Sequence, residues 1–123
     1  MGHQVVWFDL PVVNMDRAID FYSKVLNTKI FKSEFMGATI GVFGHQENTV
    51  AGCLVEGGDF KPSKDGSLLY FCANGRLGQA ESTAKELGAE ILIPKHQIGQ
   101  HGYRTVLIDP EGNRVALHSN SDS

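Results

Sequence analysis

Three polar side chains in this sequence have the chemistry for binding or catalysis: Asp9, Cys53 and His118. Histidine titrates near neutral pH, so His118 can exchange a proton, and the carboxylate of Asp9 can act as its acid–base partner. Cys53 and Cys72 are isolated and lack the C-x-x-C spacing of a zinc or redox motif, so we predict two reduced, partly buried thiols. The spacing alone does not show whether the side chains of Asp9 and His118 are in contact. That depends on the secondary-structure elements that carry them.

The stretch D-P-E-G-N-R-V-A-L-H-S, residues 109–119, contains a turn that leads directly into a strand and carries His118 near its end. Asp at the first position, Pro at the second and Gly at the fourth are typical of a type I turn. The apolar, β-branched Tyr103–Ile108 before it and the alternating Arg114–His118 after it predict a β-hairpin. Ala116 and His118 then share one face of the second strand.

The composition predicts one folded domain that binds neither nucleic acid nor membranes. The 123 residues are 41% hydrophobic and 20% charged, enough for one core and too few for two ordinary domains. The formal net charge is -3, and no cluster of Lys and Arg is long enough to follow a phosphate backbone. No apolar run approaches the ~20 residues that span a bilayer. The N-terminus lacks the basic and then apolar layout of a signal peptide, so we expect a cytoplasmic protein.

The first half of the chain predicts the order β-α-β-β-β. A segment rich in β-formers is followed by Asn14, a residue type that commonly caps helices. Apolar residues then recur at helical spacing until Asn27, which can end a helix in the left-handed conformation. The predicted elements are a strand over Val5–Val13, a helix over Met15–Leu26, and strands over Lys29–Glu34, Ala38–Phe43 and Thr49–Glu56.

The second half repeats this order after a linker of Gly, Pro, Ser and charged residues over 57–66. The related segments L-N-T-K-I-F and L-G-A-E-I-L start 61 residues apart, at Leu26 and Leu87. The predicted elements are a strand over Ser67–Ala73, a helix over Leu77–Leu87, a short strand over Glu90–Ile93, a loop over Pro94–His101 and the C-terminal hairpin. We therefore predict a single domain, 1–123, with units of about 4–56 and 67–119.

Two such units predict an α+β fold in which curled, mixed half-sheets surround a cleft and the helices cover the outer face. Strand side chains that point away from the helices then line the cleft. Most of these side chains are aromatic or apolar, and a few polar groups among them can orient a ligand, as in small-molecule sites. The predicted pocket residues are Trp7, Asp9, Cys53, Val55, Leu68, Tyr70, Ala116 and His118.

Four motifs follow one another along the chain: L-P-V-V-N-M-D-R-A-I-D-F-Y-S-K-V-L, A-G-C-L-V-E-G, P-S-K-D-G-S-L-L-Y and D-P-E-G-N-R-V-A-L-H-S. In this combination the sequence resembles the vicinal oxygen chelate superfamily. That group contains glyoxalase I, bleomycin-resistance proteins, fosfomycin-resistance enzymes, methylmalonyl-CoA epimerase and extradiol dioxygenases. The resemblance covers nearly the whole chain and is specific for the fold, but not for any one activity.

In metal-using members, the resemblance implies His or Glu ligands on the first and fourth strands of each unit, with coordination positions left open for a substrate with adjacent oxygens. Carried over to this chain, those positions fall on Trp7, Cys53, Leu68 and Ala116. Only the thiol could bind a metal, since Trp, Leu and Ala offer no oxygen or imidazole donor. We therefore predict no metal and no other cofactor. The alternative is a divalent metal displaced along the strands and held by Asp9, Cys53 and His118.

The leading hypothesis is a metal-independent small-molecule-binding protein, similar in kind to bleomycin-resistance proteins, with an unidentified organic ligand in the cleft. Bleomycin itself is disfavoured because a cationic drug fits an acidic groove, and the predicted cleft offers only Asp9, with Glu56 near one end. One alternative is an enzyme, either a glyoxalase- or dioxygenase-like lyase or oxygenase with an atypical metal site, or a metal-free isomerase that uses His118. Another is an interaction scaffold with a collapsed cleft. By resemblance we expect a homodimer, in which the units pair within a chain or between chains.

Overall fold

The computed structural model describes residues 4–47 and 49–123. Within these ranges the chain forms two mixed four-stranded sheets and two α-helices, which confirms the predicted α+β fold. The first three residues of the predicted domain, and Asn48, lie outside the described residues. In the described ranges, no helix has both the length and the apolar character that a membrane span requires.

The first unit has the β-α-β-β-β order that its sequence predicts. Its elements are β1 (Trp7–Val12), α1 (Met15–Val25), β2 (Ile30–Phe35), β3 (Ala38–Phe43) and β4 (Ala51–Glu56). The strands form one sheet in the order β1-β4-β3-β2. β1 is parallel to β4, whereas the other neighbours are antiparallel. The parallel pair is possible because α1 returns the chain to the same end of the sheet.

The second unit repeats this arrangement. Its elements are β5 (Leu69–Cys72), α2 (Leu77–Glu86), β6 (Glu90–Gln97), a short 3-10 helix (Gly99–His101), β7 (Tyr103–Ile108) and β8 (Arg114–Ser119). The sheet order is β5-β8-β7-β6, with β5 parallel to β8. The internal repeat that the sequence shows is thus a repeat of structure.

β6 is longer than predicted. The predicted loop over Pro94–His101 is wrong in its first part, because β6 continues to Gln97 and pairs with β7 to its end. The register of this pairing shifts between Ile93 and His96. Pro94 lies inside the irregular stretch, where its missing N–H removes no regular ladder hydrogen bond. Proline is usually a mark of a loop, and here it marks a bulge.

The helix α1 begins at Met15, as predicted, and ends at Val25, one residue before the predicted end. Asn14 has an extended backbone (φ -129°), and its side-chain oxygen accepts a hydrogen bond from the backbone N–H of Arg17 at 3.1 Å. This cap satisfies one of the N–H groups that the first helical turn leaves unpaired. Asn27 adopts the left-handed conformation (φ 52°) just after the helix. The helix buries Tyr22 and Val25 on its inner side.

The two units share one hydrophobic core. Phe71 of the second unit packs against Phe8, Tyr22 and Phe43 of the first, with ring centroids 5.6, 5.2 and 5.7 Å away. The fully buried hydroxyl of Tyr22 donates a hydrogen bond to the carboxylate of Asp109 at 2.5 Å. Because this core lies on the helix side of both sheets, the opposite sheet faces are available for a site.

The D-P-E-G-N turn of the second unit holds the start of α1 in the first unit. The backbone N–H of Gly112 donates to the carbonyl of Asp109 at 3.1 Å, as the predicted type I turn requires. The side chain of Glu111 is 0% exposed and accepts hydrogen bonds from the backbone N–H groups of Val13 and Asn14 at 2.7 and 2.8 Å. The turn therefore connects the units and fixes where α1 begins.

Candidate functional site

The first cavity lies on the face of the first sheet that points away from the core. In β1, Phe8 and Leu10 point into the core, so the alternating Trp7 and Asp9 point to the opposite face. Asp9 pairs with Cys53 of β4, which brings the thiol to the same face. The cavity has a volume of about 650 Å³. Its lining includes the predicted pocket residues Trp7, Asp9, Cys53 and Val55, with apolar side chains of β2 and β3 such as Phe35 and Ile40.

The second cavity lies on the corresponding face of the second sheet and has a volume of about 710 Å³. Its lining combines aromatic, apolar and basic side chains and contains no carboxylate: Tyr70, Phe71, Cys72, Ile98, His101, Arg104 and His118. Two of these, Tyr70 and His118, are predicted pocket residues. The cavity is thus aromatic, like the first, but basic where the first is acidic.

The structure does not bring the eight predicted pocket residues into one cavity. The two cavities share no lining residue. Leu68 precedes β5, and Ala116, which pairs with Tyr70 across β5 and β8, is fully buried; neither lines either of these two cavities. Asp9 and His118 lie in different cavities. Within one chain, therefore, they do not form the acid–base pair that their chemistry suggests.

Asp9 is the centre of the polar contacts in the first cavity. Its Oδ1 accepts a hydrogen bond from the indole N–H of Trp7 at 2.9 Å and another from the thiol of Cys53 at 3.3 Å. Burial, followed by the hydrogen bond to Asp9 and the charge of Asp9, raises the pKa of the Cys53 thiol to about 12. The thiol therefore stays protonated at neutral pH and donates its hydrogen bond to Asp9.

Arg104 is the main site residue that the sequence reasoning missed. Its Nε donates to Nε2 of His96 at 3.1 Å, and its Nη1 donates to the hydroxyl of Tyr70 at 2.5 Å. The guanidinium carbon lies 5.9 Å from the centroid of the Tyr70 ring. The alternation of β7 could have found it, because Arg104 pairs with His118 across the predicted hairpin and so shares its face.

His118 attaches the 3-10 helix to the sheet. Its Nε2 lies 2.5 Å from the carbonyl oxygen of His101, so this ring nitrogen carries the proton and donates. Gly102 follows with φ 98°, and a Cβ there would collide with the carbonyl oxygen of Ser119. A glycine is required at this position because a side chain would push the 3-10 helix away from β8. His118 thus shapes the rim of the second cavity.

The residues at the expected metal-ligand positions do not fit a metal ion. Trp7 has an indole and Cys53 a protonated thiol, and both donate hydrogen bonds to Asp9. Leu68 and Ala116 have aliphatic side chains. Among the residues that the structure describes, no group of three or more His, Cys, Asp or Glu side chains is placed to hold a metal. Asp9, Cys53 and His118 do not form the alternative metal site within one chain, since His118 lies in the other cavity.

Residues 4–117 match a family model described as the Glyoxalase/Bleomycin resistance protein/Dioxygenase superfamily. A search of curated proteins finds no significant match. The sequence match thus spans both units and the linker between them.

Several solved structures share this fold. Glyoxalase I from Zea mays is 26% identical, with a TM-score of 0.71 over 93% of this chain and 45% of the maize chain. A genomically encoded fosfomycin resistance protein from Listeria monocytogenes is 18% identical, with a TM-score of 0.69 over 96% and 91% of the two chains. An integron cassette protein from V. cholerae is 25% identical, with a TM-score of 0.61 over 97% and 96%. The present chain spans about half the length of the maize enzyme.

Proposed function

We propose that this chain, which belongs to the glyoxalase/bleomycin resistance protein/dioxygenase superfamily, binds a small organic molecule. We further propose that it does so without a metal ion. Members of the group act on or bind small molecules, as the names of the family and of the maize and Listeria relatives indicate. The proposal concerns the two sheet faces, where this chain has cavities of about 650 and 710 Å³. Cavities of this size accommodate drug-sized ligands.

The observation that carries the proposal is the chemistry at the four positions where metal-using relatives would place ligands. These positions hold an indole, a thiol whose pKa is raised to about 12, and two aliphatic side chains. Such groups exclude water and stack on apolar or aromatic surfaces, and they do not coordinate a hard cation. The side chains of this chain can therefore position a ligand by packing and by the hydrogen bonds of a few polar groups.

The finer proposal is a homodimer that pairs through the face of the first sheet opposite its helix. The face of the first sheet opposite its helix exposes large apolar side chains: Trp7 is 45% exposed, Phe35 61% and Met36 88%. Apolar side chains clustered on one face are typical of interaction surfaces.

The tip of the β2–β3 hairpin supports the same arrangement. Met36 has φ 51° and Gly37 has φ 82°, as in the two-residue turns that favour Asn-Gly. A methionine in the left-handed conformation is unfavourable in the isolated chain, and its exposed side chain makes few contacts that offset the cost. A contact made by Met36 with a second copy would account for its presence there.

Thermal-shift screening against aromatic and amphiphilic compounds, followed by isothermal titration calorimetry, tests the binding function. We expect compounds that raise the melting temperature and bind with about one equivalent per chain. If no compound binds and the protein associates tightly with another macromolecule, the interaction scaffold replaces this proposal. Turnover of the methylglyoxal–glutathione adduct in the presence of Ni²⁺ or Zn²⁺ would favour the glyoxalase-like enzyme. A cytoplasmic location stays a prediction from the sequence.

A further inference from the structure

Arg104 carries a positive charge that no carboxylate neutralises within the described parts of the chain. Its hydrogen-bond partners are the ring of His96 and the hydroxyl of Tyr70. Nδ1 of His96 lies 2.9 Å from the carbonyl oxygen of Pro94, which places the ring proton on Nδ1 and leaves Nε2 to accept from Arg104. Arg17, in contrast, pairs with the buried Glu111 at 2.6 Å.

The contacts of Arg104 leave three of its five guanidinium hydrogens without a partner among the described residues. Nε uses its hydrogen on His96, and Nη1 uses one of its two hydrogens on Tyr70. The second hydrogen of Nη1 and both hydrogens of Nη2 make no hydrogen bond to the described residues. These two nitrogens form the fork that binds both oxygens of a carboxylate at once. Because His96 and Tyr70 already hold the guanidinium plane, little side-chain entropy is lost when a ligand binds.

The surroundings of the fork suit an organic acid. Arg104 is half-buried and lines the second cavity together with Tyr70 and Ile98, which supply an aromatic and apolar wall. No carboxylate lines this cavity to repel an anion. A carboxylate presents two coplanar oxygens, which match the parallel N–H groups of the guanidinium plane.

We propose that the second cavity binds the carboxylate group of an aromatic or apolar organic acid through Arg104. This inference rests on the proposed small-molecule function and names the ligand class. Tyr70 and His96 are positioning residues, since they orient the guanidinium, and Ile98 contacts the body of the ligand.

Calorimetric titration of the full chain with three matched compounds tests this inference. 2-Naphthoate carries the carboxylate, 2-naphthamide has the same rings without the charge, and 2-naphthyl phosphate replaces the carboxylate with a phosphate. We expect naphthoate to bind at least ~10-fold more tightly than naphthamide, because charge-assisted bidentate hydrogen bonds are among the strong ones. R104Q should abolish this preference while naphthamide binding stays unchanged.

R114Q is the matched control, because Arg114 is an exposed arginine on β8 of the same sheet and does not line the second cavity. It should keep the full preference for naphthoate. R104K, which keeps the charge but loses the fork, should lose most of the preference, and it replaces R104Q if that variant does not fold.

Each contrary outcome has a distinct meaning. Equal binding of naphthoate and naphthamide, or an unchanged preference in R104Q or R104K, overturns the role of Arg104 and leaves the proposed function standing. Tighter binding of the phosphate than of the carboxylate overturns the ligand class. If none of the three compounds binds, this inference is overturned. If the broader screen also finds no ligand, the proposed function fails with it.

Discussion

The thiol of Cys53 donates a hydrogen bond to Oδ1 of Asp9 at 3.3 Å, inside the cavity of the first unit. The two residues are partners in the register of β1 and β4, so the contact follows directly from strand pairing. The same carboxylate oxygen also accepts from Trp7. The donor groups at two of the expected metal positions are thus used within the protein, which is the physical basis for proposing a metal-independent site.

Cys53 should react slowly with alkylating agents. Burial and the interaction with Asp9 raise its pKa to about 12, so few molecules carry the thiolate at pH 8. Allowing for the higher intrinsic nucleophilicity of a more basic thiolate, we expect iodoacetamide to modify Cys53 roughly 30- to 100-fold more slowly than free cysteine. Mass spectrometry of the labelled C72S variant measures this rate.

The D9N variant separates the two causes. An amide removes the charge next to the thiol but leaves the burial, so D9N should accelerate alkylation of Cys53 several-fold without reaching the rate of free cysteine. D59N is the control, because Asp59 lines the same cavity and is not in contact with the thiol. Equal acceleration by D9N and D59N would show that the contact with Asp9 has no special effect.

Gly52 should tolerate no side chain. A Cβ at this position would collide with the ring of Phe8, which is held between Phe43 and Phe71. We expect G52A to lower the free energy of unfolding by about 2 kcal/mol, because the packed ring cannot move away. Urea denaturation measures the change.

G78A is the matched control for G52A. Gly78 lies in α2, and a Cβ there would approach the backbone oxygen of Ser123 no closer than 3.6 Å, an ordinary contact. Alanine also has the higher helix propensity, so G78A should leave the free energy of unfolding unchanged or raise it by up to ~1 kcal/mol. A G52A variant as stable as G78A would contradict the packing described for Phe8.

The Glu111 carboxylate should contribute stability that depends on pH. Burial alone would raise its pKa, but the Arg17 guanidinium and the backbone N–H groups of Asn14 and Val13 outweigh burial, so the pKa is lowered. A lowered pKa means that the contribution is present at neutral pH and is lost as the pH falls below about 4. We expect E111Q to be about 2 kcal/mol less stable at pH 7, with a smaller deficit at pH 3.

Denaturant titrations of wild type and E111Q across this pH range test the prediction. E86Q, an exposed carboxylate on α2, is the control and should show no deficit at either pH. A deficit for E111Q that is equal at pH 7 and pH 3 would indicate that its charge has no role.

Met36 should matter for assembly and not for the fold. Because its side chain is 88% exposed at the hairpin tip, M36E removes no core contact, but it places a charge in the proposed dimer interface. We expect analytical ultracentrifugation to show a dimer for wild type and at least ~10-fold weaker dimerisation for M36E. S82E, on the exposed side of α2, should leave dimerisation unchanged. A wild-type chain that sediments as a monomer at all concentrations would rule out the dimer.

The order and class of the elements could be predicted because the local signals agree with the fold. Asn14 and Asn27 mark the ends of α1, and the D-P-E-G-N motif marks the last turn. The end of β6 could not be predicted from the sequence, since a proline such as Pro94 usually marks a loop. Only the pairing with β7 shows that the strand continues. The role of Glu111 was also invisible, because its partners lie almost 100 residues earlier in the chain.

The candidate site was less accessible from the sequence. Side-chain alternation correctly places Trp7, Asp9 and Cys53 on one face, because strand periodicity is local. Whether the two sheet faces meet depends on how the units pack, and Asp9 and His118 prove to lie in separate cavities. Arg104 was missed because an arginine in a strand is ordinary; its significance lies in having no carboxylate partner in the described structure.

Calorimetric titration of metal-stripped protein tests most directly whether this chain binds its ligand without a metal. A compound found by thermal-shift screening is titrated into protein treated with EDTA and into protein supplied with Ni²⁺ or Zn²⁺. We predict the same dissociation constant in both titrations, within about a factor of two. Binding that appears only after the metal is added would contradict the claim.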